Sequence, residues 1–201
     1  VGVAVFGSAI PNFMFAVAQQ HVASGLAGAL NSLTPLFTLL LGVSMFGMPF
    51  TKNKLIGVAL GWIGAATLVI YSSGGRVEGH AFFAFLCVVA TVCYALNANI
   101  VNTYLRGEHP AGIASSAFMI TGLIFVAILL ATGGIQAVQT HPEGIKALGY
   151  VFYLAAVGTA AGSIVYFWLL QRTSALFATS VTYLLPVFAL LIGLFDGEPL
   201  S

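Results

Sequence analysis

The sequence predicts an all-α fold, a polytopic transmembrane helical bundle built as an inverted-topology repeat. Three observations predict it. Seven long apolar segments follow one another in 201 residues, and none of the eleven charged side chains (six Lys and Arg, five Asp and Glu) falls inside any of them. Only 5% of residues are charged and 60% are hydrophobic, with a mean hydropathy of +1.05, whereas a soluble domain carries about a quarter charged residues. The first two segments also resemble the last two in sequence.

The segments run Val1 to about Gln19, Leu26 to Phe46, Leu55 to Tyr71, Ala81 to about Tyr104, Ile113 to Ala131, Ala147 to Leu170 and Leu176 to Phe195, with short connections. About 20 helical residues cross a hydrocarbon core. A spanning segment must satisfy its backbone internally, and unbroken apolar runs lack the alternation of barrel strands, so each is expected to be a helix. The chain opens on Val1 in mid-helix and stops after the turn-like run Asp196-Gly197-Glu198-Pro199-Leu200, which reads as an internal fragment. Lys52, Lys54, Arg106 and Arg172 follow even-numbered segments, while Arg76 and Lys146 follow odd-numbered ones. The positive-inside rule therefore places the ends of the second, fourth and sixth segments in the cytoplasm.

Laid over one another 151 residues apart, Val1 to Gly42 and Phe152 to Gly193 match at eleven of forty-two positions. The matches include Gly7 with Gly158, Gln20 with Gln171, Pro35 with Pro186 and Gly42 with Gly193; this composition alone would give roughly a tenth. Five passages separate the first segment from the sixth, an odd number, so the copies enter the bilayer from opposite sides. Inverted repeats are characteristic of secondary transporters, which hold a site near the midplane between two halves.

Polar side chains recur on one face of four segments. Ser8, Asn12 and Gln19 of the first, with Phe15 between them, correspond to Thr159, Ser163 and Tyr166 of the sixth. Asn31, Thr34, Pro35 and Thr38 of the second correspond in kind to Thr179, Thr182, Tyr183 and Pro186 of the seventh. Polar groups are costly in lipid, so these stripes are expected to face the bundle interior or a wet cavity. A mid-span proline removes a backbone hydrogen bond, and the carbonyls freed by Pro35 and Pro186 are those of Asn31 and Thr182. The two prolines are expected to kink or gate their helices. The fourth segment adds Thr91, Tyr94 and Asn97; Asn99 and Asn102 lie nearer its cytoplasmic end, where ordinary solvation accounts for them. Gly57, Gly61 and Gly64 make the third a packing helix.

Other chemistries are excluded on residue grounds. His21, His80, His109 and His141 lie singly in four loops, so no metal site is expected. Cys87 and Cys93 stand on different faces of one helix and read as small core residues. No catalytic constellation, buried acid pair or basic patch is present, so neither an enzyme, a cofactor nor a nucleic-acid partner is expected.

The run Ala27-Gly28-Ala29-Leu30-Asn31-Ser32-Leu33-Thr34-Pro35-Leu36, the helix to Gly42, and Lys54-Leu55-Ile56-Gly57-Val58-Ala59-Leu60 with Gly64 resemble the end of an EamA-type repeat of the drug/metabolite transporter superfamily. Ala178 to Gly193, followed by Gly197-Glu198-Pro199-Leu200, resembles the same element, whereas Met48 stands where the family usually has the Glu. The resemblance implies a ten-helix bundle of two five-helix repeats, of which this chain supplies seven. Residues 1–72 would be the last three helices of the first repeat, 73–79 a connecting loop, and 80–201 the second repeat without its last helix. It also implies a cavity between the halves in a bacterial inner-membrane protein.

The expected function is export or facilitated passage of small neutral, zwitterionic or amphipathic metabolites, amino-acid-like in class, by alternating access. Asn12, Asn31, Thr34, Tyr94, Asn97, Ser163, Tyr166, Thr182 and Tyr183 are expected to bind the substrate. The expected partners are that substrate and the lipid bilayer, and a homo-oligomer is compatible with the sequence. The alternative is a non-transporting membrane sensor or assembly protein that retains the fold.

Overall fold

The computed structural model describes residues 1–22, 24–72 and 81–185, and among them every regular element is helical. The first apolar segment forms α1 (Gly2–Ala18), which widens into a π-helical turn at Val5–Ala9. Pro11 follows two residues later. Its missing N–H and its ring disrupt the α-helical ladder at this point, and the wider turn accommodates them.

The second segment is broken rather than merely kinked. It consists of α2 (Ser24–Asn31) and α3 (Thr34–Met45), separated by a turn at Ser32 and Leu33, with Pro35 in the first turn of α3. The carbonyl of Asn31 that Pro35 leaves without a backbone donor accepts the Thr34 hydroxyl at 2.6 Å, and Ser32 Oγ donates to the Ala29 carbonyl at 2.6 Å. Two hydroxyls thus make the break tolerable at membrane depth. Gly47, at φ 64, ends α3 in the left-handed region, and the Met48 N–H returns to the Gly42 carbonyl at 2.8 Å.

The third segment is α4 (Lys52–Ser72), three residues longer at its start than expected. Next come α5 (Ala81–Tyr104) and α6 (Pro110–Ala131), the latter started by a proline at its first position. A short helix, α7 (Gly134–Thr140), occupies the connection before the sixth segment, where only a loop was expected. Gly133, at φ 70, makes the turn into it. The sixth segment is α8 (Gly144–Arg172), which has its own π-helical turn at Leu154–Ala161. The seventh begins as α9 (Ala175–Thr179) and tightens into a 3-10 turn at Ser180–Leu184. Pro186, Gly193 and the rest of that segment, together with Arg76, Glu78 and His80, lie outside the described residues.

Among the described residues four helical runs are long and apolar enough to cross a membrane: Leu26–Met45, Ala81–Tyr104, Pro110–Ala131 and Gly144–Arg172. Gly2–Ala18 and Ala175–Leu184 are shorter apolar helices. The central helix is α5, which packs against α1, α2, α3, α8 and α9. Ala90, Ala95 and Ala98 are fully buried and let these neighbours approach closely. Cys87 and Cys93 are free and buried on this helix.

Apolar packing is concentrated at two levels along α5. At one, Ala18, Val22, Ala27 and Cys87 pack with Phe15 and Phe83. At the other, Val3, Val101, Ile113, Phe167, Leu170 and Ala178 join α1, α5, α6, α8 and α9. Tyr94 and Asn97 fall between these levels in the sequence of α5, close to its midpoint.

Candidate functional site

A cavity of about 410 Å³ occupies that middle level. It is lined by Gly7, Ser8 and Asn12 of α1, Asn31 and Thr34 at the α2–α3 break, Tyr94 and Asn97 of α5, and Phe118 of α6. The opposite wall is Gly158, Thr159, Gly162, Ser163, Tyr166 and Phe167 of α8, with Thr182 of the 3-10 turn. None of the lining residues is Asp, Glu, Lys or Arg. The volume falls in the usual range for small-molecule sites, about 300–1,000 Å³.

Three breaks in helical regularity serve this wall. The π-helical turn of α1 carries Gly7 and Ser8, that of α8 carries Gly158 and Thr159, and the turn between α2 and α3 separates Asn31 from Thr34. Four pairs of lining residues stand 151 positions apart: Gly7 and Gly158, Ser8 and Thr159, Asn12 and Ser163, Asn31 and Thr182. The two π-helical turns overlap at the same separation.

Much of the polar wall is bonded to itself. The Tyr94 hydroxyl donates to Asn12 Oδ1 at 2.9 Å, and Asn12 Nδ2 lies 3.4 Å from Ser8 Oγ. The Tyr94 ring stacks on Phe15 with centroids 6.1 Å apart. Thr182 Oγ1 donates to the Thr179 carbonyl at 2.8 Å. Asn97 packs against the bare Cα of Gly7, where an added Cβ would lie 2.7 Å from the amide.

Of the residues singled out from sequence, Asn12, Asn31, Thr34, Tyr94, Asn97, Ser163, Tyr166 and Thr182 meet around this cavity. Tyr183 is not among its lining residues. The Tyr183 ring lies over Gly61 of α4, and its hydroxyl donates to the Val58 carbonyl at 3.0 Å. Pro35 is buried in α3 behind the break and does not line the cavity, and Pro186 lies outside the described residues. Gln19 is exposed, while the Thr91 hydroxyl bonds back to the Val88 carbonyl at 2.6 Å. Gly7, Gly158, Gly162, Phe118 and Phe167 were not anticipated. The matched pair Gly7 and Gly158 was the signal available for two of them.

Solvation does not account for Asn99 and Asn102. Asn99 is 2% exposed, and its Nδ2 donates across to the Thr38 carbonyl of α3 at 3.1 Å and to Ala95 at 2.9 Å. Asn102 Nδ2 donates to the carbonyls of Leu170 and Thr173 at the end of α8, and Arg106 Nη2 donates to Thr173 at 3.1 Å. In return Gln171 Nε2 donates to the carbonyls of Leu105 and Glu108 beyond the end of α5, at 2.8 and 2.7 Å. Helix C-termini leave carbonyls without intrahelical donors. Here each helix supplies the donors for the other, forming a reciprocal clasp at the end of the bundle that carries Arg106 and Arg172.

A helical membrane bundle around an uncharged polar hollow defines a class of integral membrane protein with room for a small solute. The model of the EamA-like transporter family matches residues 1–70 and 81–201. The chain belongs to that family. It is 30% identical over 197 residues to the uncharacterized inner membrane transporter YedA of Escherichia coli strain K12, covering 96% of this chain and 61% of that protein. It is 23% identical over 198 residues to an uncharacterized transporter of Archaeoglobus fulgidus, covering 98% and 68%. A probable terminal-alkyne amino-acid exporter of Streptantibioticus cattleyicolor is 25% identical over 174 residues, covering 87% and 56%. The chain thus spans about three-fifths of the length of YedA. No solved structure matches it. Its apolar helices and these relatives identify an integral inner-membrane protein.

Proposed function

We propose that the full-length protein exports, or facilitates the passage of, small neutral, zwitterionic or amphipathic metabolites of amino-acid-like class, by alternating access about the central cavity. The observation that carries this reading is the mid-level cavity, uncharged and built in part from residue pairs 151 positions apart. Such pairing is what two inverted copies clasping one site would produce. On this reading residues 1–72 close the first copy, 73–79 connect, and 80–201 belong to the second.

The absence of a lining charge among the described residues selects against multiply anionic solutes, which need a cationic partner in a low-dielectric site. Self-bonded hydroxyls and amides with Tyr94, Phe118, Tyr166 and Phe167 suit a solute with a compact polar head and an apolar body. The Streptantibioticus relative, a probable terminal-alkyne amino-acid exporter, supports that class. In this account the reciprocal clasp of Asn102, Arg106 and Gln171 is the closed cytoplasmic gate, and opening the cavity to the cytoplasm breaks it.

The test is uptake and efflux of a radiolabelled amino-acid panel by proteoliposomes carrying the full-length protein, with an Asn31→Ala variant beside the wild type. Saturable flux of one or more amino acids, lowered at equal expression by Asn31→Ala, is expected. Tighter binding of a sugar phosphate than of any amino acid would overturn the reading.

A further inference from the structure

We infer that the undonated hydroxyl protons of Ser8, Thr159, Ser163 and Tyr166 form a subsite for a carboxylate, and that the molecule moved carries one. The inference rests on the transport reading above and narrows its substrate class.

A serine or threonine hydroxyl inside a helix has the carbonyl three or four residues earlier within reach as an acceptor. Thr34, Thr38, Thr91, Thr121, Thr179 and Thr182 all donate in this way. Among the described helical side chains, those that do not are Ser8, Thr159 and Ser163, together with the exposed Thr103 near the end of α5. The first three line the cavity, and Thr103 does not. Ser8 and Thr159 stand 151 positions apart, each within a π-helical turn, and Ser163 follows just after the second of these turns. A π turn runs its backbone bonds to the fifth residue, which displaces the carbonyl that a hydroxyl would otherwise reach.

Tyr166 lies one turn beyond Ser163 on the same face of α8, half-buried in the same wall, and its hydroxyl has no hydrogen-bond partner. These groups are open rather than sealed in packing. Among the described residues, Asn97 Oδ1 is the buried side-chain oxygen or nitrogen without a partner, so the unpaired oxygens of the half-buried Ser163 and Tyr166 keep accessible surface. Ser8 Oγ accepts from Asn12 Nδ2 at 3.4 Å and retains its own proton. Asn31, whose Oδ1 faces Thr34, adds an amide NH2 to the same wall.

A hydroxyl that has given its proton to the backbone can only accept from a ligand, whereas one that has not can donate. An ammonium has no lone pair, so closure of the cavity around it would leave these protons dry and unpaired. A carboxylate accepts through both oxygens, with room for about four such bonds, and bonds to a charged acceptor are the stronger kind. With no basic lining residue, a single carboxylate would be held by neutral donors and its charge balanced within the solute itself, as in a zwitterion.

The experiment uses full-length protein in lipid nanodiscs and two probes of similar shape, L-phenylalanine and its decarboxylated analogue 2-phenylethylamine, with binding measured calorimetrically. Tyr166→Phe and Ser163→Ala each remove one donor and are expected to weaken phenylalanine about tenfold or more. The amine should change by less than about twofold on the same scale. Tyr166→Phe deletes a single oxygen and keeps the ring, so it decides the matter if the alanine variant does not fold. Thr103→Val, which removes an unbonded hydroxyl away from the cavity, should move neither probe.

Equal losses for both probes, or none for either, would overturn the inference, with amino-acid transport standing. Wild-type protein that binds the amine as tightly as phenylalanine would overturn it as well. If the wild type carries no amino acid in the proteoliposome flux assay, the transport reading falls first and this inference with it.

Discussion

Replacing Gly61 by alanine should destabilise the bundle by about 1.5–4.5 kcal/mol, and the structure shows where that comes from. A Cβ at Gly61 would lie 2.4 Å from Cε2, 2.7 Å from Cδ2 and 2.8 Å from Cζ of Tyr183. Ordinary carbon–carbon contact is about 3.5–4.0 Å, so the ring must retreat by about 1 Å. It cannot do so freely, because its hydroxyl is fixed on the Val58 carbonyl one helical turn away at 3.0 Å. Overpacking of this kind costs about 1–3 kcal/mol, and losing the hydrogen bond adds about 0.5–1.5. The assay is reversible unfolding of full-length protein in mixed micelles for Gly61→Ala, Tyr183→Ala and the double variant. Removing the ring relieves the clash, so the double variant should be at least about 1 kcal/mol more stable than additivity requires. Tyr183→Phe should lose about 1 kcal/mol while substrate affinity stays at the wild-type value, since the ring lies off the cavity. Additive energies, or a Gly61→Ala cost below about 0.5 kcal/mol, would refute the argument.

Three further outcomes follow from the hydrogen bonds. Asn99→Leu removes donors to Thr38 and Ala95 and should lower stability by about 1–3 kcal/mol in the same unfolding assay, without changing which amino acids are carried. Gln171→Leu removes two bonds of the clasp; it should cost about 1–2 kcal/mol and raise the labelling rate of a cysteine placed at Ser163 by a cytoplasm-side reagent. Thr34→Val keeps the shape but leaves the Asn31 carbonyl without its hydroxyl. Melting should show a loss of about 1–2 kcal/mol, whereas Thr34→Ser retains the bond and most of the stability.

How far the sequence could be read depended on whether a feature is local. Apolar length located the helices, and Pro35 located the break in the second segment because a missing N–H is a property of one residue. The spacing of Ser8 with Asn12, and of Thr159 with Ser163, put each pair on one face, and the cavity lies against those faces. Tyr183 shows the limit of that logic. Its stripe position is sound as periodicity, but whether a ring turns to the hollow or to Gly61 depends on which helix lies alongside, and α4 was assigned no partner from sequence. Asn102 and Gln171 were opaque for the same reason: their acceptors are helix ends about 70 residues away, and only the fold brings them together. The π-helical turn of α8 had no proline to announce it.

The two π-helical turns lead to one more test. A π turn holds one residue more than the α-helical ladder needs and absorbs it by widening, so removing that residue lets the helix regularise while its two flanks keep their relative rotation. In α1 those flanks have different tasks: Val3 and Ala4 pack with Val101, Ile113 and Phe167, while Asn12 faces the cavity. Deleting Ala9 should leave both in register but close the widened turn that brings Gly7 and Ser8 to the cavity wall. Deleting Ala160, its counterpart 151 positions on, should do the same to Gly158 and Thr159 of α8. Both deletions are expected to preserve the fold yet weaken amino-acid binding by more than about tenfold, whereas Ala9→Gly and Ala160→Gly, which keep the residue count, should stay within about threefold. If the Ala9 deletion binds normally, the widened turn is incidental to the site and the argument fails. If only one deletion is harmful, the cavity does not depend equally on its two walls, and the proposed kinship of the halves loses its strongest geometric support.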